Sequence, residues 1–126
     1  MVGIVVVSHS QKLAEGVVDL AALMAADTPM RAAGGMDDGG FGTSFEKISA
    51  AVEDIYTDDG VIIMMDLGSA VMTTEMVIEM MDDRNIKMVD CPVVEGTIAA
   101  AVIASGGAPM EEVIEAAEMA KTAAKF

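Results

Sequence analysis

The amino-acid sequence predicts an α/β fold: an open parallel β-sheet, ordered 2-1-3-4, with helices on both faces. Two observations carry this expectation. Residues 3–7 and 61–65 are short, continuously apolar runs rich in β-branched side chains, the pattern of strands covered on both faces. Segments with apolar residues three and four positions apart, the helical period, fall between and after such runs. Strands alternating with helices require right-handed crossovers, and therefore parallel pairing.

Taken in order, strand one occupies residues 3–7. After Ser8, His9 and Ser10, residues 11–26 carry Leu13, Val17, Leu20, Ala21 and Met24 on one predicted helix face, with Ser10 as N-cap. Residues 28–33 form a short second strand, and the glycine-rich, acidic stretch 34–42 is a surface loop. Thr43-Ser44-Phe45-Glu46 fits a capping box opening a helix to about Tyr56 that buries Phe45, Ile48, Val52 and Ile55. Asp58-Asp59-Gly60 makes the turn into the third strand, 61–65. Asp66-Leu67-Gly68-Ser69 then leads to a helix over 70–81, repeating the strand, polar turn and helix of the N-terminus. A last short strand at 86–89 precedes an unusually apolar helix, 93–104. Gly106-Gly107 breaks it, and a final helix runs from Pro109, a first-turn proline, to about Ala124, with Glu111 and Glu112 near its positive start and Lys121 and Lys125 near its negative end.

Composition narrows the function. A chain of 126 residues, 53% hydrophobic, is expected to form one domain, residues 1–126, around a continuous core. Its apolar stretches are shorter than the about 20 residues that cross a bilayer, and the N-terminus enters a strand with no basic signal region, so a soluble cytoplasmic protein is expected. Lone Cys91 and lone His9 cannot build a zinc cage or an internal disulfide. Twenty-one acidic against seven basic residues give a net charge of −14, which disfavours nucleic acid and anionic membrane as partners. The acid excess fits a basic protein partner, a solubilising shell or a salt adaptation alike. The 13 methionines are read chiefly as flexible core filler, with a recognition surface as the alternative.

In an open α/β sheet, ligand chemistry gathers beyond the carboxyl ends of the strands where chain direction switches, so the turns after strands one and three matter most. His9 stands in the first of them, accessible, and neutral imidazole keeps a nitrogen able to attack phosphorus. Asp66 occupies the second. If strands one and three are neighbours, its carboxylate can hold the proton of one ring nitrogen and leave the other free. A plain turn or cap role for Asp66 is the alternative. Gly68 and Ser69 open the following helix, where free amides and a hydroxyl can face a phosphoryl group, although a Gly-Ser turn is also ordinary punctuation.

No phosphate-binding loop, dinucleotide fingerprint or nucleophile elbow is present, and no cofactor is expected. A phosphatase would need arginines at the site. Neither Arg31 nor Arg84 lies in the His9 or Asp66 turn.

Gly3-Ile4-Val5-Val6-Val7-Ser8-His9-Ser10, Met64-Met65-Asp66-Leu67-Gly68-Ser69-Ala70 and Pro92-Val93-Val94-Glu95-Gly96-Thr97 together resemble the phosphotransfer subunit of phosphoenolpyruvate-dependent dihydroxyacetone kinase, a mannose-type enzyme IIA domain. The resemblance implies a phosphohistidine carrier in which HPr phosphorylates His9 on Nε2 and the group passes to ADP held by the kinase's nucleotide-binding subunit. It also implies that Asp66 orients His9, that Gly68 and Ser69 help hold the phosphoryl group, and that Thr43 sits near the rim, helix capping being the stronger reading for Thr43. Family members are typically homodimers. The apolar helix 93–104 suits such an interface or the monomer core equally. A non-catalytic binding or regulatory module on the same fold is the rival reading, and a sugar- or flavin-binding enzyme would lack aromatic stacking residues.

Overall fold

The two apolar runs become the centre of the sheet. In the computed structural model, which describes residues 1–126, the strands are β1 (Gly3–Ser8), β2 (Met30–Gly34), β3 (Val61–Met65) and β4 (Ile86–Met88). They pair in parallel in the predicted order β2-β1-β3-β4. The helices are α1 (Gln11–Met24), α2 (Phe45–Ile55), α3 (Val71–Met80), α4 (Val93–Ser105) and α5 (Met110–Met119). A 3-10 turn, Gly68–Ala70, precedes α3.

Alternation along β1 divides the interior into two layers. Ile4 and Val6 face Val17, Ala21, Ala100, Ala104 and Val113, so α1, α4 and α5 cover that side. Val5 and Val7 face Ile48, Val52, Ile55 and Val77, so α2 and α3 cover the other. Ile4, Ile62 and Ile63 are wholly buried, each contributing about 1.5–3 kcal/mol relative to an exposed side chain.

Several local expectations need correcting. On α1 the buried residues are Ala14 with the expected Val17 and Ala21, whereas Leu13, Leu20 and Met24 are exposed to 40%, 44% and 66%. The helix is apolar on more than one side, and it sits so close to β2 that only small residues fit beneath it. A side chain at Gly34 would come within 2.6 Å of the Ser10 carbonyl oxygen and 2.8 Å of Ala14 Cβ. Strand β2 begins at Met30, not at residue 28, because Thr28 turns inward to donate its hydroxyl to the Ala101 carbonyl at 2.8 Å. Phe45 is only partly buried.

Helix α5 stops at Met119 with Pro109 as its N-cap, and Lys121 and Lys125 pair instead with Asp90 and Glu95 at 3.6 and 3.1 Å. Helix α4 buries Gly96, Thr97, Ala100, Ala101 and Ala104 within the chain, whereas its Val102 and Ile103 are exposed. No helix is long and apolar enough to cross a membrane.

Candidate functional site

Register builds the site. Val7 of β1 is level with Met65 of β3, so the next residues, Ser8 and Asp66, leave the sheet side by side. The Asp66 amide still donates to the Val7 carbonyl at 3.2 Å, extending the ladder to the last possible residue. Beyond it the chain continues from Ser8 into α1 on one face and from Asp66 into α3 on the other, which opens the crevice that this topology provides.

The Asp66 carboxylate accepts two hydrogen bonds on each oxygen. Oδ1 receives the Leu67 amide at 2.8 Å and faces His9 Nδ1 at 3.1 Å; Oδ2 receives the Ser8 hydroxyl at 2.9 Å and the His9 amide at 3.1 Å. Burial, the largest single influence, disfavours the charge, but the bonds from the His9 amide, the His9 ring, Ser8 and Leu67 together outweigh it and hold the carboxyl below its ordinary range. An ionised carboxylate only accepts, so the network assigns the ring proton to Nδ1. Nε2 is then the bare nitrogen. It accepts from the Ser69 hydroxyl, which lies 2.9 Å away on the exposed 3-10 turn.

The His9 side chain retains 27% of its surface and that of Asp66 11%, so the imidazole is half-buried rather than freely exposed. Its backbone is held as firmly as its ring. Ser10 caps α1 by accepting from the Leu13 amide at 3.2 Å, as expected, and the His9 carbonyl accepts from the Gly42 amide at 2.9 Å. Gly42 has φ +141, a conformation that side-chain-bearing residues rarely adopt.

Thr43 follows the Gly42 amide that binds the His9 carbonyl. Thr43 is not the cap of α2: Ser44 fills that position, accepting from the Lys47 amide at 3.2 Å, and Glu46 approaches the Ser44 hydroxyl at 3.4 Å instead of closing a box onto Thr43. The Thr43 hydroxyl meets that of Thr73 at 3.0 Å, tying the start of α2 to the first turn of α3. A side chain built at Gly68 would meet nothing within 4 Å, so the fold itself leaves open space there.

Sequence reasoning overlooked Ser8 as a working residue. Fully buried, it donates to Asp66 and accepts from the Ser10 amide at 3.0 Å. A hydroxyl closing an otherwise apolar strand was the available signal, since a buried hydroxyl requires a partner. Thr73 and the Leu67 amide left no signal short of the three-dimensional contact.

The arrangement presents one nucleophilic nitrogen, with its ring proton anchored opposite by a carboxylate. Cys91, the other potential nucleophile, is disarmed: burial first, and Asp90 and Glu118 next, push its thiol up to about 11. No group of three or more His, Cys, Asp and Glu side chains converges to hold a metal.

The family model for the fructose IIA component of the PTS system, EIIA-man, matches residues 3–118. The chain belongs to the EIIA-man family. Its similarity extends to the DhaM subunits anticipated from the three motifs. This EIIA-man chain is 35% identical over 116 residues to the PTS-dependent dihydroxyacetone kinase, phosphotransferase subunit DhaM, of Lactococcus lactis subsp. lactis, covering 92% of this chain and 93% of that protein. It is 39% identical over 121 residues, 90% of its length, to the PEP-dependent dihydroxyacetone kinase, phosphoryl donor subunit DhaM, of Escherichia coli. The chain spans only 26% of that longer relative, and the same share of the one from Klebsiella michiganensis, to which it is 38% identical.

Among solved structures, the protein of unknown function EF1359 superposes with a TM-score of 0.85 at 26% identity, covering 99% of this chain and 98% of that one. A sigma-54 interaction domain protein from Enterococcus faecalis shares the fold at a TM-score of 0.74 and 18% identity, covering 92% of this chain and 87% of its own.

Proposed function

We propose that this EIIA-man chain is a cytoplasmic phosphohistidine carrier. It accepts a phosphoryl group on Nε2 of His9 from HPr of the phosphoenolpyruvate-dependent phosphotransferase system and passes it to ADP bound on the nucleotide-binding subunit of a dihydroxyacetone kinase. The single observation that carries this reading is the polarity of the imidazole: Nδ1 faces Asp66 at 3.1 Å, and Nε2 lies on the exposed side, where the Ser69 hydroxyl meets it at 2.9 Å. The names of the DhaM relatives support the choice of kinase.

In the forward step the Nε2 lone pair forms a bond to phosphorus as the bond between phosphorus and its donor breaks, the electron pair leaving with the donor. The ring gains positive charge, which Asp66 stabilises through the Nδ1 proton, and no proton has to move. Ser69 must release Nε2 for this to happen. Its hydroxyl then has a phosphoryl oxygen to donate to, while Gly68 leaves room for that oxygen beside the backbone, and Thr43 stands at the rim. On discharge an oxygen of the ADP terminal phosphate attacks phosphorus, and the electron pair of the breaking bond returns to Nε2. A site without arginines suits brief holding better than hydrolysis.

The test mixes the protein with phosphoenolpyruvate, enzyme I and HPr. Wild type should gain one acid-labile, base-stable phosphoryl group that an ADP-loaded nucleotide-binding subunit removes, and His9→Ala should gain none. Equal labelling of the two would remove His9 as the carrier residue, and no labelling of wild type would favour a binding or regulatory module.

A further inference from the structure

The contact between Ser69 and His9 closes a chain of three side chains. Ser69 Oγ lies 2.9 Å from Nε2, and Nδ1 of the same ring lies 3.1 Å from Oδ1 of Asp66. With the ring proton on Nδ1, Nε2 is the acceptor, so the Ser69 hydroxyl donates to a base whose far side is anchored by a carboxylate. Nucleophile, base and orienting carboxylate stand in this relation in serine hydrolases, which are recognised by geometry and not by position in the sequence. The chain order His9, Asp66, Ser69 and the missing nucleophile elbow are therefore no obstacle. Two further features suit acyl transfer. Ser69 is exposed, and a side chain at Gly68 would meet nothing within 4 Å, so a carbonyl group has room to approach. Gly68 and Ser69 also open the 3-10 turn behind an extended Leu67, so their amides have no helical carbonyl to bind and are the donors available to an oxyanion.

We propose that Ser69, His9 and Asp66 act as a catalytic triad, and that the chain hydrolyses small, uncharged carboxylic esters whenever His9 carries no phosphoryl group. Ser69 Oγ bonds to the ester carbonyl carbon while its proton passes to Nε2, and the carbonyl π pair moves onto oxygen. When that pair returns, the bond to the alcohol oxygen breaks, the leaving oxygen takes the proton from Nε2, and an acyl-serine remains. Water then attacks the acyl carbon and gives a proton to Nε2. The bond to Oγ breaks, Oγ recovers that proton, and the carboxylic acid departs. Asp66 stays ionised throughout and holds the Nδ1 proton. A net charge of −14 selects against anionic esters. An exposed serine offers little surface to a long acyl chain, so the reactivity of the ester must supply what binding does not. The activity is separate from phosphoryl carriage and excluded by it, because a phosphoryl group on Nε2 leaves no lone pair for the Ser69 proton.

The probe is p-nitrophenyl acetate, mixed with the full, unphosphorylated chain. Wild type should release p-nitrophenolate over many turnovers, and mass spectrometry of the acid-quenched protein should find an acetyl group on Ser69. Ser69→Ala, a change at an exposed position, and His9→Ala should each lower the rate by about 10²-fold or more. Asp66→Asn should lower it as well, since its amide can donate to Nδ1 and move the ring proton to Nε2, a change that ¹⁵N NMR reads directly. An acetyl group on His9, with Ser69→Ala as fast as wild type, would show the imidazole acting alone and overturn the triad. Hydrolysis no faster than by free imidazole at the same concentration would overturn it too. Loading His9 from phosphoenolpyruvate, enzyme I and HPr should abolish hydrolysis, and an undiminished rate in the phosphorylated chain would contradict the proposal. Hydrolysis by a wild type that accepts no phosphoryl group would sustain the triad and reject the carrier reading alone.

Discussion

Nδ1 of His9 and Oδ1 of Asp66 face each other at 3.1 Å across the boundary between β1 and β3, although 57 residues separate them in sequence. The parallel register that aligns Val7 with Met65 makes this contact, and the four bonds that fill the carboxylate preserve it. In Asp66→Ala the ring loses the acceptor that fixes its proton. Phosphoryl transfer should slow by roughly 10²-fold or more while the fold persists, and ¹⁵N NMR should show His9 as a mixture of tautomers. An unchanged rate would remove Asp66 from the mechanism.

Ser8→Ala tests the support behind the carboxylate. It strips one donor from Asp66 Oδ2 and leaves the Ser10 amide unpaired at the entry to α1. Chemical denaturation should show a loss of about 1–3 kcal/mol. Transfer should slow with KM unchanged, because the residue acts on the geometry of Asp66 and not on docking. A full wild-type rate in a folded Ser8→Ala protein would leave Ser8 with a structural role alone.

Asp66 also sets a pH dependence. Its folded-state pKa is lowered, so the unfolded chain binds its proton first as the solution is acidified. The stability contributed by its ionised form is fully present above the ordinary carboxylate range and is lost as pH falls through the lower folded value. Denaturation midpoints of wild type and Asp66→Ala, followed downward from roughly pH 6, should converge at the acid end of the titration. A gap independent of pH would show that the charge contributes nothing.

How far the sequence disclosed this site depends on the kind of information each residue carries. β1 and β3 were legible because strands buried on both faces must be apolar throughout; that the two are neighbours entered as a condition, which the order β2-β1-β3-β4 meets, and His9, Asp66 and Ser69 come together as a result. The buried face of α1 was legible only in part: Val17 and Ala21 were expected and are buried, but Leu13, Leu20 and Met24 fit the helical period as well as Ala14, and the close seat over Gly34 selects the smaller residue. Thr43 was misread for a similar reason. Thr43 and Ser44 are both competent caps, and the bond from Gly42 to the His9 carbonyl, invisible in one dimension, goes with the choice of Ser44 and the release of Thr43 to Thr73.

Two glycines should behave oppositely when changed to alanine. At Gly34 the new carbon would collide with backbone atoms of α1, and thermal or chemical unfolding should reveal a loss of about 3 kcal/mol or more. At Gly68 it would meet no atom of the protein, so stability should stay within about 0.5 kcal/mol of wild type. If that open space takes the phosphoryl oxygens, as proposed, transfer should nevertheless fall in Gly68→Ala; a normal rate would exclude Gly68 from the site.

The most direct measurement locates the covalent bond itself. ¹⁵N and ³¹P NMR of the protein labelled through HPr should show phosphorus coupled to Nε2 of His9, with the proton still on Nδ1. Phosphorus on Nδ1, on the Ser69 oxygen, or on no atom of the chain would contradict the assignment of the bare nitrogen on which the account depends.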